Sequence, residues 1–266
     1  MNKNVAVVGN GPAGLLATWA ALHQDANVTV FHLGAKSEIH GAQYIHADIP
    51  GLPDLPQFTP FTVRYHKHGS EEGYRQKIYG DSVPQGGTSW DKFHGRQRAL
   101  PMHEIYDYLY DTLMGQECRS VVKLIDERDF RELVSVYDVV VNTAPLPSIK
   151  PDGVYRTEDV WVVGHNIYHI QPDEIHYYGD EKFAYRASNI QGHGSAEFPT
   201  VASVPFGYRR QARKVHKPLD CDVSLPGVHR LGRYGKWKKG VLAHEAYSEM
   251  RDILRRDLPW TASLAP

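Results

Sequence analysis

The 266-residue chain carries 41% hydrophobic and 23% charged residues, an ordinary globular balance that excludes disordered, collagen-like and fibrous classes. No apolar run of about 18 residues is present, so no membrane-spanning helix is encoded. Two cysteines, Cys118 and Cys221, supply neither a CxxC pair nor a four-thiolate zinc site, and a disulfide framework is excluded. The net charge of −1 averages over an asymmetry: residues 209–239 hold ten Lys/Arg against Asp220 and Asp222, a local +8 that leaves −9 for the other 235 residues.

Residues 4–33 read as strand, tight turn, helix and strand. NVAVVG is a short β-branched run, GNGPAG is a turn, LLATWAALHQ has helical spacing and NVTVFHL is a second strand. The apolar run begins at Val5, which leaves no room for a signal peptide and makes the cytoplasm the expected compartment. From Gly34 to Leu100 glycines, prolines and aromatics interrupt the pattern, with FTVRYH and YRQKIYG as short strand candidates. A helix is expected from Pro101 with Ile105, Leu109 and Leu113 on one face. SVVKLID reads as a strand, the stretch to FRELVSVY as a hairpin or short meander, and YDVVVNTAPL as a buried strand. Residues 153–218 read as mostly β, with WVVGHNIYHI, HYYGDEKFAYRAS and EFPTVASV as strands. VHRLGRYG is a strand and turn, and KKGVLAHEAYSEMRDILRRDL is the longest helix candidate.

Gly9-Asn10-Gly11-Pro12-Ala13-Gly14 fits G-x-G-x-x-G. The first glycine permits the strand-to-helix turn, the second lets a pyrophosphate approach the backbone, and the third lets helix and strand pack closely. Its place between a strand and a helix, inside a βαβ unit of 30 residues, is the context that gives the pattern meaning. The acid that should hold a ribose at the end of the second strand is replaced by His32. That histidine reads equally as a ribose partner through a ring nitrogen or as a solvated strand-end residue.

Three separated pieces resemble the FAD-binding domain of the glutathione-reductase-type flavoproteins, in the branch of the amine oxidases and UDP-galactopyranose mutase. They are VAVVGNGPAGLLA, YDVVVNTAPLP at 137–147 and GRYGKWKKGVLAHEAY at 232–247. The resemblance implies an α/β chain in which a discontinuous Rossmann-like FAD-binding domain (1–47, 100–152 and 219–266) receives a mostly β substrate region (48–99 and 153–218). It implies FAD as cofactor, held by Gly9, Gly11, Pro12, Ala13, Gly14 and His32, with Val122 at the adenine and Thr143 and Ala144 at the second strand–turn. Gly232 and Arg233 complete the cradle, and Gly240, Val241 and Leu242 are expected as N-terminal amides of a helix aimed at the isoalloxazine. Such a helix end favours negative charge on a flavin, and an arginine can bind pyrophosphate bidentately.

The length leaves no room for a second nucleotide domain, and Gly192-His193-Gly194 lacks a third glycine. These readings direct the chemistry to oxidation of a C–N bond of an amine or amino-acid group, with hydride passing to flavin N5. Gln43, Tyr44 and His46, in GAQYIHADIPGLP after the second strand, are the catalytic candidates. Trp90, His94, Tyr168, His169, Tyr178 and Tyr185 are candidates for an aromatic cage. His165 and His169 sit in an expected strand, where a spacing of four does not converge on a metal, so no metal site is expected. RRQARKVHKP reads either as a solvated loop or as a contact for phosphates, including DNA, through Arg209, Arg210, Arg213, Lys214 and Lys217. The ending is similar to that of short flavoproteins of bacteriophages and actinobacteria, some of which oxidise amino-acid-modified thymines in DNA hypermodification. A non-redox mutase acting on a nucleotide sugar, with Arg209, Arg210 or Arg213 on its pyrophosphate, and a flavin-binding sensor are the alternatives.

Overall fold

The computed structural model describes residues 2–36, 39, 43–46, 48–52, 55, 58–80 and 89–256. Within GAQYIHADIPGLP, Gly41, Ala42, Ala47 and Pro53 lie outside the described residues, as do Asp257 and Leu258 of the last helix candidate. The chain divides into two units, residues 1–38, 104–156 and 218–266 and residues 39–103 and 157–217. Relative to the boundaries read from sequence, the stretch from Ile39 to 47 and residues 100–103 belong to the second unit, and residues 153–156 and 218 to the first.

The first unit opens with β1 (Asn4–Val8), α1 (Pro12–Leu22) and β2 (Asn27–His32). The second then contributes β3 (Tyr44–Ile45), β4 (Phe61–His68), α2 (Glu71–Tyr79), α3 (Ser89–Lys92) and β5 (Arg96–Pro101). The chain returns to the first through α4 (Met102–Thr112), β6 (Arg119–Val122), α5 (Glu127–Val136), β7 (Val139–Asn142) and α6 (Leu146–Ile149). β8 (Val154–Val163) leads back to the second, which adds β9 (Glu174–Tyr178), β10 (Arg186–Ile190) and β11 (His193–Phe198). β12 (Arg213–Asp222) leads out again to β13 (His229–Arg230), α7 (Gly232–Lys236) and α8 (Glu245–Arg256).

The first unit is a five-stranded parallel sheet in the order β13-β7-β1-β2-β6. Its central strands are runs of β-branched and aromatic residues buried along nearly their whole length, the pattern of a parallel sheet covered on both faces. α1 is apolar around its whole circumference and buried from Gly14 to Ala21, because it packs on α8 as well as on the sheet. Ala6, Val8, Phe31 and Val140 form a core with Phe130 and Leu133 of α5.

The second unit is an eight-stranded sheet in the order β12-β8-β11-β10-β9-β4-β5-β3. From β8 to β3 its neighbours pair antiparallel, except β4 and β9, which run parallel. Alternation along β9 sends Ile175 and Tyr177 to one core and Tyr178 to the other. Buried Glu197 is the ionic centre of this unit: it pairs with Arg186, accepts from Lys217 Nζ at 2.6 Å and from Tyr185 Oη at 2.6 Å.

Several segments differ from their sequence reading. YRQKIYG lies in α2, where Ser70 Oγ accepts from Gly73 N and Gly80 ends the helix. Residues 127–136 form α5 rather than a hairpin, because Asp126 and Asp129 make a reciprocal capping box ahead of Phe130 and Leu133. The strand in WVVGHNIYHI stops at Val163, and His165–Ile170 are turn and loop. Gln191 and Gly192, both at positive φ, make the two-residue turn between β10 and β11, which accounts for the second glycine pair.

Burial pushes the Glu197 carboxyl up, but Arg186 and Lys217 outweigh it and hold the group well below the usual carboxylate range. A depressed folded-state pKa contributes stability above the ordinary glutamate range that is lost as pH falls. Glu197→Gln leaves two cations without a counter-charge and is expected to cost about 3 kcal/mol or more. Urea unfolding measures this, and the variant should show a flatter loss of stability than the parent as pH is lowered through the acid range.

Candidate functional site

The carboxyl ends of β1, β2, β6 and β7 bring the glycine motif and its partners together in the first unit. Gly9, at φ +106°, donates its N–H to Phe31 O at 2.8 Å, so the turn leaves β1 while still tied to β2. A Cβ on Gly14 would lie 2.0 Å from Gly9 O and 2.8 Å from Thr143 Oγ1, so only glycine fits there. A Cβ on Gly9 would meet Thr143 Oγ1 at 2.6 Å. Thr143 N and Oγ1 both donate to Val8 O, at 2.8 and 2.9 Å, which fastens the end of β7 to the end of β1. Asn142 and Ala144 close the turn reciprocally at 3.1 Å.

The third piece of the motif arrives from the end of the chain. Leu231 N donates to Asn142 O at 2.9 Å, and a Cβ on Gly232, at φ +68°, would sit 2.5 Å from Ala13 Cβ. A Cβ on Gly235 would lie 2.3 Å from Asn142 O. Gly9, Pro12, Ala13, Gly14, Thr143, Ala144 and Gly232 therefore share one neighbourhood. Gly11 stands at the start of α1 without a side-chain cap, Pro12 occupies the first turn, and no acid lies in that turn. Such an end offers N–H groups and a positive dipole to an anion. Arg233 is half-buried in α7, whose end is fixed by Trp237 in the left-handed region with its indole donating to Arg156 O.

His32 is spent inside the protein. Its Nδ1 accepts from Gly34 N at 3.0 Å, which places the ring proton on Nε2, and Nε2 donates to Ser120 Oγ at 2.7 Å. Burial holds the imidazole below its ordinary range, so it stays neutral. Neither nitrogen is left for a ribose hydroxyl in this arrangement, and His32 shapes the turn at Gly34 instead. Val122 lies opposite His32 in the register, on the edge strand β6. Since Lys123 N donates to His32 O, the N–H and C=O of Val122 face the open edge, where an adenine can pair with them.

Gly240, Val241 and Leu242 do not begin the last helix. α8 starts at Glu245, and the chain from 239 to 244 turns with i→i+3 bonds such as Glu245 N to Leu242 O. Two residues of the cradle were missed in the sequence. Asn10, buried, donates to Ala35 O at 3.0 Å, and Tyr106 Oη of α4 donates to Asn10 O at 3.1 Å. The motif position of Asn10 is unrestricted, and nothing in the spacing of α4 marks Tyr106.

In the second unit, Tyr44 and His46 belong to one polar network and Gln43 to a separate contact. Ser188 Oγ donates to Gln43 Oε1 at 2.7 Å, Tyr44 and Tyr65 share a hydroxyl bond of 2.7 Å, and both Tyr65 Oη and His46 Nδ1 donate to Gln97 Oε1. Burial drives the Tyr44 hydroxyl well above its ordinary pKa, so it is a neutral donor. Beside them lies a hollow of about 60 Å³ lined by Ile45, His46, Asp48, Arg98, Ala99 and Leu100. That is space for about two waters.

The six cage candidates do not converge. Trp90 and Tyr185 fill one core of the sheet, Tyr168 and Tyr178 the other, and His94 and His169 are exposed. The basic run is likewise dispersed. Lys217 is committed to Glu197, Lys214 pairs with Asp159 at 2.7 Å, and Arg209 donates to Val204 O and Ala202 O, while Arg210 and Arg213 are exposed.

No protein-family model and no curated protein matches the chain. Solved structures do. Reduced UDP-galactopyranose mutase has a TM-score of 0.54 at 11% identity, over 96% of this chain and 94% of its own. 2-Methyl-3-hydroxypyridine-5-carboxylic acid oxygenase has 0.53 at 13%, over 96% and 87%. A probable FAD-dependent monooxygenase from Pseudomonas aeruginosa has 0.51 at 12%, over 98% and 88%. At these identities the likeness is one of fold: the chain has the fold of FAD-binding flavoproteins, a parallel sheet with helices joined to a mostly antiparallel sheet. Among the described residues, no helix is long and apolar enough to cross a membrane.

The close approach at Gly14 is directly testable. Gly14→Ala is expected to destabilise by about 1–3 kcal/mol through overpacking, whereas Gly115→Ala, with open space around its Cα, should leave the urea midpoint unchanged.

Proposed function

We propose that the chain is an FAD-binding oxidoreductase. The observation that carries this reading is the convergence of Gly14, Thr143 and Gly232, drawn from three distant stretches, on one uncapped helix start. The cradle fits a dinucleotide. First-turn amides of α1 would take the pyrophosphate, the edge backbone of Val122 the adenine, and the turn at Thr143 and Ala144 would pass beside the cofactor. Bound flavin supplies two-electron redox chemistry. The protein's own part is to bind and orient the substrate and to exclude water from it.

Within that class we read the substrate as a small amine or amino-acid group whose C–N bond is oxidised. Gln43, Tyr44 and His46 would orient it, Tyr44 through the acceptor side of a hydroxyl whose proton goes to Tyr65. A nucleobase-linked amino acid in phage-type modified DNA belongs to the same substrate class, with exposed Arg210 and Arg213 as phosphate contacts. A second reading, a non-redox mutase on a nucleotide sugar, is favoured by the coverage of both chains in the likeness to UDP-galactopyranose mutase.

Purified protein should bind FAD stoichiometrically and show the visible band of oxidised flavin; failure to take up added FAD removes the proposal. Pro12→Asp places a carboxylate in the first turn of α1, where it suits the helix but competes with pyrophosphate. It should weaken FAD binding at least about tenfold at unchanged stability of the cofactor-free chain. Anaerobic bleaching by amino acids or aminoacylated thymidine DNA is the expected outcome for the amine reading. Turnover of UDP-galactopyranose only after dithionite treatment would replace it with the mutase.

A further inference from the structure

A cluster in the second unit plays no part in the flavin reading. β4 and β9 pair in parallel, with Arg64 opposite Glu174, His66 opposite His176 and His68 opposite Tyr178. Alternate residues of a strand share a face, so three histidines and one glutamate gather on one side of the sheet. His176 Nε2 lies 3.1 Å from Glu174 Oε2, and His66 Nε2 lies 3.5 Å from Glu174 Oε1. One ligand atom each from His66, Glu174 and His176 falls within 4.8 Å of the others, the one such trio among the described residues.

We infer that His66, Glu174 and His176 bind one divalent transition-metal ion of the zinc class. Two imidazoles and a carboxylate with room for a water are a donor set that zinc takes in open sites. The carrying observation, beyond proximity, is that His66 Nε2 is buried and makes no hydrogen bond, its nearest acceptor being Glu174 Oε1 at 3.5 Å. Burying a polar nitrogen unpaired costs free energy, and a metal is a partner that removes this cost. The surrounding bonds suit the same occupant. His176 presents Nε2 to the site while Nδ1 lies 2.9 Å from His68 Nε2, and His68 Nδ1 faces Glu181 at 3.9 Å. A ligating imidazole commonly donates its other N–H in this way, which fixes ring and tautomer.

Arg64 is the competing group. Its Nη2 lies 3.1 Å from Glu174 Oε1, which leaves Oε2 for the ion. The arginine side chain is 43% exposed, so the guanidinium can move to water when a dication arrives. The metal would join two strands whose sequence separation exceeds one hundred residues, and so stabilise the sheet in proportion to its binding.

The test uses the full-length chain without a histidine tag, stripped with EDTA and titrated with zinc by calorimetry. The same protein is titrated with cobalt(II) and read by its visible ligand-field absorption. The parent should bind one equivalent, show a histidine/carboxylate cobalt spectrum and gain thermal stability with zinc. His66→Gln, at a half-exposed side chain that tolerates replacement, and Glu174→Gln should lose that equivalent, while His216→Gln, which lies on Asp159 elsewhere, should keep it. Arg64→Ala should bind more tightly. Far-UV circular dichroism confirms that each variant is folded. Absence of a stoichiometric site in the parent, or its persistence in folded His66→Gln, overturns the inference. Neither result bears on FAD binding, which is measured separately on the same samples.

Discussion

The first unit rests on a single contact too close for any side chain, that between the carbonyl of Gly9 and the α-carbon of Gly14. It lets α1 start directly above the end of β1, so the first-turn amides point out of the sheet rather than into a cap. Thr143 reaches the same point from β7 and spends both its N–H and its hydroxyl on Val8, and Gly232 fits against Ala13 with no space for a Cβ. Each of these positions is small because its neighbour is already there. A nucleotide cradle follows from packing alone: once the ends of four parallel strands are drawn this tightly together, the polar groups left over are backbone amides at one helix start.

Much of this unit was legible in the sequence because its signals are local. Val5–Val8, the glycine motif and Leu15–Leu22 state strand, turn and helix within thirty residues, and VVVN followed by Thr143 and Ala144 states a second strand end. The segments that differ, here and in the second unit, also carry local signals, but of a different period. In residues 74–80 the β-favouring tyrosines and isoleucine outweighed a helix start at Ser70 and a stop at Gly80. In residues 127–136 the decisive signal is the capping pair Asp126 and Asp129, which outweighs the β-favouring Val134 and Val136. At Gly240 the glycine reads as a helix entrance, whereas four more residues follow before α8 begins at Glu245.

The side chains of the second unit were far less legible. Histidines and tyrosines are abundant in the chain, and composition gives no indication of which sheet face each will occupy. Trp90 and Tyr168 looked alike as pocket residues and proved to belong to opposite cores. In the first unit, His32 reads as a ligand contact from its place in the motif, but the partner that consumes it, Ser120, is brought near only by the β2–β6 pairing. The same holds for His66 and His176: H-x-H and E-x-H repeats are visible in sequence, but their meeting depends on a parallel register that no spacing rule supplies.

The contact between α1 and α8 has a consequence in time. α1 is apolar on all sides and is covered by a helix that begins more than two hundred residues later in the chain. At about 5–20 residues per second of synthesis, its outer face waits roughly ten seconds to most of a minute for its cover. During that interval the nascent chain displays a greasy helix beside a half-built sheet, a natural client for a chaperone. The redox chemistry proposed for the finished molecule is thus available only after α8 has left the ribosome.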